Sequence, residues 1–261
     1  YKRQVQDNLK ILEHYGYEVI APACGYLACG DTGAGKMPEP ETLLAYIERE
    51  AACEKDLKGK KILVTAGPTQ ESVDPVRYLT NHSSGKMGYA IAKAAMLRGA
   101  DVTLVSGRTS IEPPMFVNLV PVVTARDMYE AVTSVSNEQD IIVKAAAVAD
   151  YRPSRISEEK VKKSDGQMSI ELERTDDILK FLGEHKRAGQ FLCGFSMETE
   201  NLLDNSKKKL ISKNCDMICA NSLSSEGSGF GSDTNVITLI TESGMETVSY
   251  THLRAHETDS Y

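Results

Sequence analysis

Apolar residues recur along this chain in two alternating patterns. After residue 60, short apolar runs rich in Val and Ile alternate with segments whose apolar residues return every three or four positions. The first pattern is typical of buried strands and the second of amphipathic helices. The predicted strands cover residues 62–66, 101–105, 117–120, 141–145, 191–195 and 217–220, and the predicted helices cover 87–98, 125–136, 177–185 and 200–213.

Strands that alternate with helices predict a parallel sheet covered on both faces. The expected fold class is therefore α/β, with a Rossmann-like, mainly parallel sheet and flanking helices. Two later runs, 236–241 and 245–248, flank Glu242-Ser243-Gly244 and predict an antiparallel hairpin. Residues 151–174 lack a helical period, and the runs 156–163 and 168–173 predict a protruding β-arm.

The region before residue 61 has a different organisation. Apolar spacing predicts a helix from residue 5 that ends near Gly16 and a second helix over 41–55, with a short strand over 17–20 between them. The charged, glycine-containing stretch 55–61 predicts a linker. We therefore divide the chain into domains 1–57 and 58–248 and a tail 249–261, which we expect to be non-native or disordered.

Composition narrows the functional classes. The chain has 261 residues, of which 41% are hydrophobic, so it can bury a core. It shows neither an apolar run of about 18 residues nor a secretion signal, so we expect a cytoplasmic protein without a membrane partner. A net charge of −7 argues against nucleic acid as a partner. The six cysteines lack the spacing of a zinc site and are expected to be reduced thiols.

Small and hydroxylated residues follow the strand 62–66. Gly67-Pro68-Thr69 comes directly after it, and Asn81-His82-Ser83-Ser84-Gly85-Lys86 leads into the helix 87–98. This arrangement predicts backbone N–H groups and a helix N-terminus that face a phosphate. The spacing of neither common glycine-rich nucleotide motif fits. Tyr89 and Lys93 have the spacing of a short-chain dehydrogenase pair, but they occur too early in the fold.

Several longer blocks occur in a fixed order: 67–71, 74–77, 81–88, 145–153, 160–163 and 194–199. Together they resemble the phosphopantothenate–cysteine ligase half of the bifunctional coenzyme A biosynthesis proteins. The stretch 21–37, which contains Cys29, resembles the tail of the other half, the flavin-dependent phosphopantothenoylcysteine decarboxylase.

This resemblance implies CTP-dependent ligation of cysteine to 4′-phosphopantothenate through an acyl-cytidylate, giving 4′-phosphopantothenoylcysteine, CMP and pyrophosphate. It implies Mg²⁺ with unknown ligands, and FMN only in a full-length decarboxylase domain. It also implies a homodimer, and a higher oligomer where that domain is complete. We expect decarboxylase activity to be lost, because the flavin-binding strands and catalytic His of that domain are missing here.

The resemblance also implies roles for particular residues. Asn81 would donate to the acyl oxygen, Lys160 would stabilise the transferring phosphorus, and Cys29 would be the acid of the decarboxylase remnant. Substrate anions would meet Arg77, Ser83, Ser84, Gly85 and Lys86. The nucleotide would meet Ala145, Ala146, Asp150, Lys160, Asp176, Asp177, Ile178, Leu179, Phe195, Lys209 and Lys213.

Two positions depart from the family pattern. The family has Asn-Pro-Asp where this chain has Thr175-Asp176-Asp177, and it has an apolar residue where this chain has Lys144. A different class of function is open on the same sheet, namely a Rossmann-type NAD(P)-binding oxidoreductase or a non-catalytic nucleotide-binding module. A flavodoxin-like FMN protein is a third reading. The preferred ligand distinguishes the three.

Overall fold

The computed structural model describes residues 3–162, 168–198, 201–222 and 234–252. The chain divides into two compact units, Tyr1–Cys53 and Glu54–Tyr261, which we call unit 1 and unit 2.

Unit 1 contains two helices and one hairpin, and none of its described residues is buried. The first helix ends where Gly16 adopts a left-handed φ of 85° and the N–H of Tyr17 reaches back to the carbonyl of Leu12, at 3.1 Å. The second helix begins with Pro40, which suits the first turn. In chain order, the elements are α1 Arg3–His14, β1 Ala23–Tyr26, β2 Thr32–Lys36 and α2 Pro40–Ala51.

The strand predicted over 17–20 is wrong, because the extended pairing of unit 1 occurs later, between β1 and β2. These two strands are antiparallel and lie within the glycine-rich stretch that the sequence left without regular structure. A strand needs a neighbour for its backbone groups, and residues 17–20 have no ladder partner among the described residues.

Unit 2 contains the larger share of the regular structure. Its strands are β3 Lys61–Ala66, β4 Gln70–Ser72, β5 Tyr78–Thr80, β6 Asp101–Ser106, β7 Asn118–Pro121, β8 Ile141–Lys144, β9 Tyr151–Pro153, β10 Leu172–Arg174, β11 Phe191–Glu198, β12 Met217–Ser222, β13 Thr234–Thr241 and β14 Gly244–His252. Its α-helices are α3 Lys86–Leu97, α4 Ala125–Val135, α5 Ile178–Glu184 and α6 Leu202–Ser212. Among the described residues, no helix combines the length and apolarity needed to cross a bilayer.

Eight strands form one sheet, in the order β14-β13-β12-β11-β8-β3-β6-β7. The strands from β12 to β7 are parallel, and β13 and β14 add an antiparallel edge. This arrangement confirms the Rossmann-like α/β prediction. The chain runs outward from β3 through β6 and β7, and then returns to β8 on the other side of β3. Such a reversal opens a crevice at the carboxyl ends of the strands, where α/β proteins bind their ligands.

The centre of the sheet is buried because helices cover both of its faces. Leu63, Leu104 and Ile142 on three neighbouring strands are each 0% exposed. Helix α3 approaches β3 closely at Gly88, where a Cβ would lie 2.6 Å from the Cβ of Ala66. Helix α4 begins with a capping box between Thr124 and Asp127. These contacts fix the strand ends that surround the crevice.

Three short features differ from the prediction. The β-arm is paired only at its base, where β9 meets β10, because residues 154–162 and 168–171 contain no strand. Residues 163–167, the predicted tip, lie outside the described residues. Strands β4 and β5 form a hairpin that the sequence did not reveal. Strand β14 continues to His252, four residues beyond the predicted end at 248.

Candidate functional site

A cavity of 540 Å³ opens at the carboxyl ends of β8 and β11. The loop after β8 forms one wall, the start of α5 forms another, and α6 contributes the side chains of Lys209 and Lys213. We call this cavity the basic pocket. It brings together the predicted nucleotide residues Ala146, Asp150, Asp176, Asp177, Ile178, Leu179, Phe195, Lys209 and Lys213. Ala145 and Lys160 are not among the lining residues.

Three lysines line the basic pocket, and their ammonium groups differ in their contacts. Lys209 donates to the carbonyl of Phe195 at 2.8 Å, and Lys213 donates to Asp177 Oδ2 at 2.6 Å. Lys144 makes neither a hydrogen bond nor an ion pair with any described residue. The pKa of Lys144 is lowered to about 8, chiefly by burial and also by nearby Lys209, whereas the carboxylates of Asp177 and Asp150 act in the opposite direction.

Asp177 joins α5 to α6 at the mouth of the pocket. It is the N-cap of α5, where its Oδ1 accepts from the N–H of Lys180 at 2.9 Å, and its other oxygen pairs with Lys213. Partial burial acts to raise the pKa of this carboxyl, but the two hydrogen bonds outweigh it and hold the pKa below its usual value. Asp177 is therefore ionised at neutral pH.

The alanine-rich loop after β8 is held by hydroxyl groups. Thr65 Oγ1 accepts from the N–H of Ala146 at 3.1 Å, and Thr69 Oγ1 accepts from the N–H of Ala149 at 3.0 Å. Thr175 donates to the carbonyl of Ala149 at 2.6 Å. Both Thr65 and Thr69 are 0% exposed. The loop is thus a fixed wall of the pocket before any ligand arrives.

Asn81 supports the same loop from its other side. Its Nδ2 lies 3.2 Å from the carbonyl of Ala147 and 3.3 Å from that of Val148. Both partners are acceptors, so the amide nitrogen must face them. The N–H groups that we expected to donate to an acyl oxygen are used within the protein in this arrangement. Asn81 acts here as a positioning residue for the loop.

The guanidinium of Arg77 is also engaged within the protein. Its Nε and Nη2 lie 3.0 and 2.6 Å from Oδ2 of Asp74, a residue only 2% exposed. Arg77 also donates to the carbonyl of Val161 at 3.1 Å, and the N–H of Val161 donates to Asp74. The hydrogen bonds from Arg77 hold the pKa of Asp74 well below its usual range. The guanidinium of Arg77, which we expected to meet a substrate anion, is thus already paired with Asp74. Lys160 is exposed next to Val161 in the same segment.

The predicted anion cradle at the start of α3 lies beside the end of β3. Gly85 is the N-cap with a left-handed φ of 79°, and a Cβ there would lie 3.3 Å from the Cα of Gly67. The N–H of Lys86 lies 3.4 Å from Oγ of Ser84, and the N–H of Ser83 donates to the carbonyl of Asn81. The predicted cradle residues Ser83, Ser84, Gly85 and Lys86 do not line the basic pocket, so the cradle is a separate location.

The hydroxyl of Tyr89 is not available as a dehydrogenase acid. Tyr89 is 7% exposed, and its oxygen lies 3.0 Å from Ser106 Oγ and 3.1 Å from Thr109 Oγ1. Its role is to tie α3 to β6.

In unit 1, Cys29 lies in the turn between β1 and β2 and is exposed. The turn is closed by hydrogen bonds between Leu27 and Asp31 at 2.8 Å and from Gly30 to Leu27 at 2.9 Å. Gly30 has a φ of 88°, which a residue with a side chain rarely adopts. The turn therefore presents the thiol of Cys29 to solvent.

The pocket contains charged residues that the sequence did not single out as site residues. Arg174 and Tyr151 line it from β10 and β9, with Arg174 Nε 3.4 Å from the hydroxyl of Tyr151. Their pairing depends on the ladder between β9 and β10, so local sequence gave no signal. Lys144 did give a signal, because a lysine at the end of a buried strand is unusual. Among the described residues, no group of three or more His, Cys, Asp or Glu side chains could hold a metal ion.

Comparison with known proteins identifies the family. A family model described as "DNA/pantothenate metabolism flavoprotein C-terminal domain" matches residues 57–256. The coenzyme A biosynthesis bifunctional protein CoaBC of Bacillus subtilis (strain 168) is 47% identical over 243 residues, which cover 92% of this chain and 60% of that protein. This chain thus spans about three fifths of the length of the curated relatives it matches.

Solved structures agree with this assignment. A crystal structure of the C-terminal domain of a CoaBC protein is 47% identical, with a TM-score of 0.62, and the match covers 76% of this chain and 89% of that one. A DNA/pantothenate metabolism flavoprotein from Streptococcus pneumoniae is 24% identical, with a TM-score of 0.65, and covers 74% of this chain and 93% of its own. The second likeness concerns the fold alone.

The family description implies a flavin, and the basic pocket does not fit one. A flavin ring needs a flat apolar slot, whereas lysine and aspartate side chains occupy the walls here, and the nearby rings are Phe195 and Tyr151. Tyr151 is exposed and has the guanidinium of Arg174 5.9 Å from its ring centre. We derive no chemical step through FMN for the described residues.

The family description also corrects our functional prediction. Residues 57–256 are described as part of a flavoprotein, which contradicts CTP-dependent ligation by residues 58–248 and the expected loss of decarboxylase chemistry, so we withdraw both. Neither CTP nor Mg²⁺ is supported by these comparisons. In the described structure, Lys160 also lies outside the basic pocket, away from Lys209 and Lys213. By the extent of the match, the chain belongs to the family of DNA/pantothenate metabolism flavoprotein C-terminal domains.

Proposed function

We propose that unit 2 binds a phosphate-bearing pantothenoyl compound of coenzyme A biosynthesis in the basic pocket, with 4′-phosphopantothenoylcysteine as the reference ligand. One observation carries this proposal: Lys144, Lys209, Lys213 and Arg174 converge on one cavity at the carboxyl end of the sheet. The family's connection with pantothenate metabolism supports the choice of ligand.

The pocket offers partners for each part of such a molecule. Its ammonium and guanidinium groups suit a phosphate, because charge-assisted hydrogen bonds to phosphate are strong. The fixed loop 146–149 lines the cavity, and its carbonyl oxygens can accept a further hydrogen bond from the amides of a pantothenoyl chain, because a carbonyl has two lone pairs. Asp150 and Asp176 can accept from its hydroxyl and amide N–H groups. The volume of 540 Å³ is within the range of small-molecule sites.

We propose that this protein acts in coenzyme A biosynthesis as an enzyme and that unit 1 contributes to a decarboxylase. Cys29 would act as a proton donor in that decarboxylase. The exposed position of Cys29 at a hairpin turn supports this role. FMN would be held outside the basic pocket. We also propose a homodimer in solution, which light scattering on the purified chain would test.

A nucleotide is the second candidate ligand. The predicted nucleotide-binding residues, apart from Ala145 and Lys160, line one cavity, and that grouping supports a nucleotide or a related anion. Asp150 and the backbone of the loop 146–149 could pair with a sugar or a base. The Rossmann-type oxidoreductase reading would require NAD(P)H in the same place.

Calorimetric titration of the purified chain would test these proposals with 4′-phosphopantothenoylcysteine, the four ribonucleoside triphosphates and NADPH in separate arms. We expect 4′-phosphopantothenoylcysteine to bind. Lys209→Met should lower its affinity by about tenfold, since a charge-assisted hydrogen bond is worth roughly 1.5–3 kcal/mol. Lys180→Met is the matched control, because Lys180 is exposed on α5 and outside the pocket. Absence of phosphopantothenoylcysteine binding would overturn the main proposal, and binding of NADPH alone would favour the oxidoreductase.

A further inference from the structure

Lys144 is the last residue of β8, in the middle of the sheet. In the parallel ladder its neighbours are Thr65 on β3 and Gly194 on β11. Paired residues on adjacent strands point to the same face, so a small residue stands on each side of the lysine. Gly194 adds no side chain beside the lysine, and the space that a Cβ would take there is bordered by Ile218 and Leu179, at 2.9 and 3.0 Å.

The ammonium of Lys144 has no hydrogen-bond acceptor and no ion-pair partner among the described residues. Lys209 and Lys213 each reach an acceptor at hydrogen-bond distance, and so does Arg174. Lys144 lines the same cavity, but no described residue accepts from it or pairs with it. An ammonium withdrawn from water costs free energy unless an acceptor replaces the lost hydration. The described residues do not provide this acceptor, and a ligand in the pocket would supply it.

The charges around the pocket show what Lys144 changes. The lining residues include four cationic side chains, Lys144, Arg174, Lys209 and Lys213, and three carboxylates, Asp150, Asp176 and Asp177. Without the charge of Lys144, three positive side chains face three negative ones and the net charge of the pocket is zero. One carboxylate, Asp177, is already used by Lys213 and by the N–H of Lys180. Protonated Lys144 therefore converts a neutral pocket into a positive one.

We propose that Lys144 is a specificity-determining residue of the basic pocket, where its ammonium binds a dianionic phosphate monoester and so selects phosphorylated over unphosphorylated ligands. This inference rests on the proposed function, because it names the charge class of the ligand that the same pocket takes.

The protonation of Lys144 makes binding depend on pH. Its pKa of about 8 means that the ammonium dominates at pH 7 and the neutral amine at pH 9. A bound dianion stabilises the ammonium and raises that pKa. Affinity is therefore full below about pH 8 and falls as pH rises through 8, by up to about tenfold per pH unit. The facing groups are Arg174 on β10, Asp176 and Asp177 at α5, Lys209 and Lys213 at α6, and Asp150 on the loop after β8.

The test uses 4′-phosphopantothenate and pantothenate as calorimetric probes at pH 7 and pH 9. The second pKa of a phosphate monoester is about 6, so the probe stays largely dianionic between pH 7 and pH 9. We expect the wild-type chain to prefer the phosphorylated probe and to lose about tenfold in affinity between the two pH values. Lys144→Met should lose about tenfold at pH 7 and show no further loss at pH 9. Lys144→Arg should bind at pH 9 as it does at pH 7, because arginine stays protonated.

The outcomes separate this inference from the proposed function. A wild-type chain that binds neither probe overturns the proposed function, and the inference with it. A wild-type chain that binds 4′-phosphopantothenate while Lys144→Met keeps the same affinity and pH dependence overturns only the role of Lys144. Lys180→Met controls for the loss of one positive charge elsewhere. If Lys144→Met does not fold, the wild-type pH profile and the preference for phosphate decide, and a flat profile contradicts the inference.

Discussion

At the scale of single residues, Asp74 is the clearest case of a buried charge that holds separate segments together. It accepts from the N–H groups of Val76, Arg77 and Val161 and from the guanidinium of Arg77. Asp74→Asn keeps the shape of the side chain but removes its charge. The new amide NH₂ would face the N–H groups that now donate to the carboxylate. We expect a clear loss of stability at pH 7, measured by urea unfolding, with exposed Asp204→Asn as the control.

The pH dependence of that loss follows from the sign of the pKa shift. The pKa of Asp74 is lower in the folded protein than its value of about 3.9 in an unfolded chain. Its contribution is therefore fully present above about pH 4 and declines as pH falls toward the folded pKa. The difference between wild type and Asp74→Asn should be constant from pH 7 to about 4 and narrow below that. A constant difference down to pH 3 would contradict the assignment.

The six thiols should differ in reactivity. Cys24 and Cys29 are exposed, Cys53 is partly buried, and Cys193, Cys215 and Cys219 are buried. Burial also raises the pKa of Cys215 to about 11, and the thiol of Cys219 together with burial raises that of Cys193. Because the thiolate is the reactive form, an aromatic disulfide reagent at pH 8 should modify Cys24 and Cys29 first. The three buried thiols should react only after denaturation, and rapid reaction of all six would contradict the structure.

At the scale of elements, the contact between α3 and β3 depends on Gly88. A Cβ there would meet the Cβ of Ala66 at 2.6 Å and the carbonyl of Thr65 at 2.9 Å. Gly88→Ala would force the helix away from the strand, and overpacking of this kind costs about 1–3 kcal/mol. Thermal unfolding should show this loss, whereas Ala94→Ser at an exposed position of the same helix should cost about 0.5 kcal/mol or less. A stable Gly88→Ala variant would mean that α3 can shift freely.

The sequence predicted the long elements well because each has a strong period. The sheet strands from β3 to β12 and the helices α3 to α6 were found within a few residues. The hairpin of β1 and β2 was missed because Gly25, Gly33 and Gly35 interrupt its alternation. Strands β4 and β5 have only three residues each, too few for a period. Short strands form when a partner is near, and local sequence does not report partners.

The site was predictable only in part. The resemblance pointed to nine residues that the fold brings into one cavity, although the roles of those residues stay predictions. Sequence reasoning could not foresee that Arg77 and Asn81 use their donors on Asp74 and on the loop after β8. Whether a donor side chain bonds within the protein or to a ligand depends on distances in the folded structure. For the same reason the sequence did not reveal that no described residue accepts a hydrogen bond from Lys144.

At the scale of the whole molecule, the two units differ in how much they bury. The described residues of unit 1 include none that is buried, whereas Leu63, Val64 and Leu104 in unit 2 are 0% exposed. Hydrogen exchange reports such differences, because segments with few buried contacts open at low cost. We expect amides of β3, β6 and β8 to exchange slowest and those of α1 and α2 to exchange within the earliest time points. Equal protection of both units would contradict this picture.

The whole chain carries a charge of −7, whereas the basic pocket is positive when Lys144 is protonated. Distant negative charges are screened beyond about 8 Å at physiological salt, so the local lysines decide what an anion meets in the pocket. Raising the salt concentration should therefore lower the affinity for an anionic ligand. The loss of attraction by the pocket lysines should exceed the relief of repulsion by the rest of the surface.

The lowered pKa of Lys144 also makes this side chain a chemical handle. At pH 7 roughly one in ten copies is the neutral amine, against about one in 2,500 for a lysine of ordinary pKa. Acylating reagents attack only the neutral amine, so a small activated ester should modify Lys144 ahead of the exposed lysines. Peptide mapping would identify the modified position, and an occupied pocket would shield it. Lys144 at the end of its strand, with no partner among the described residues, thus offers a point for covalent probes or inhibitors within the charged cleft.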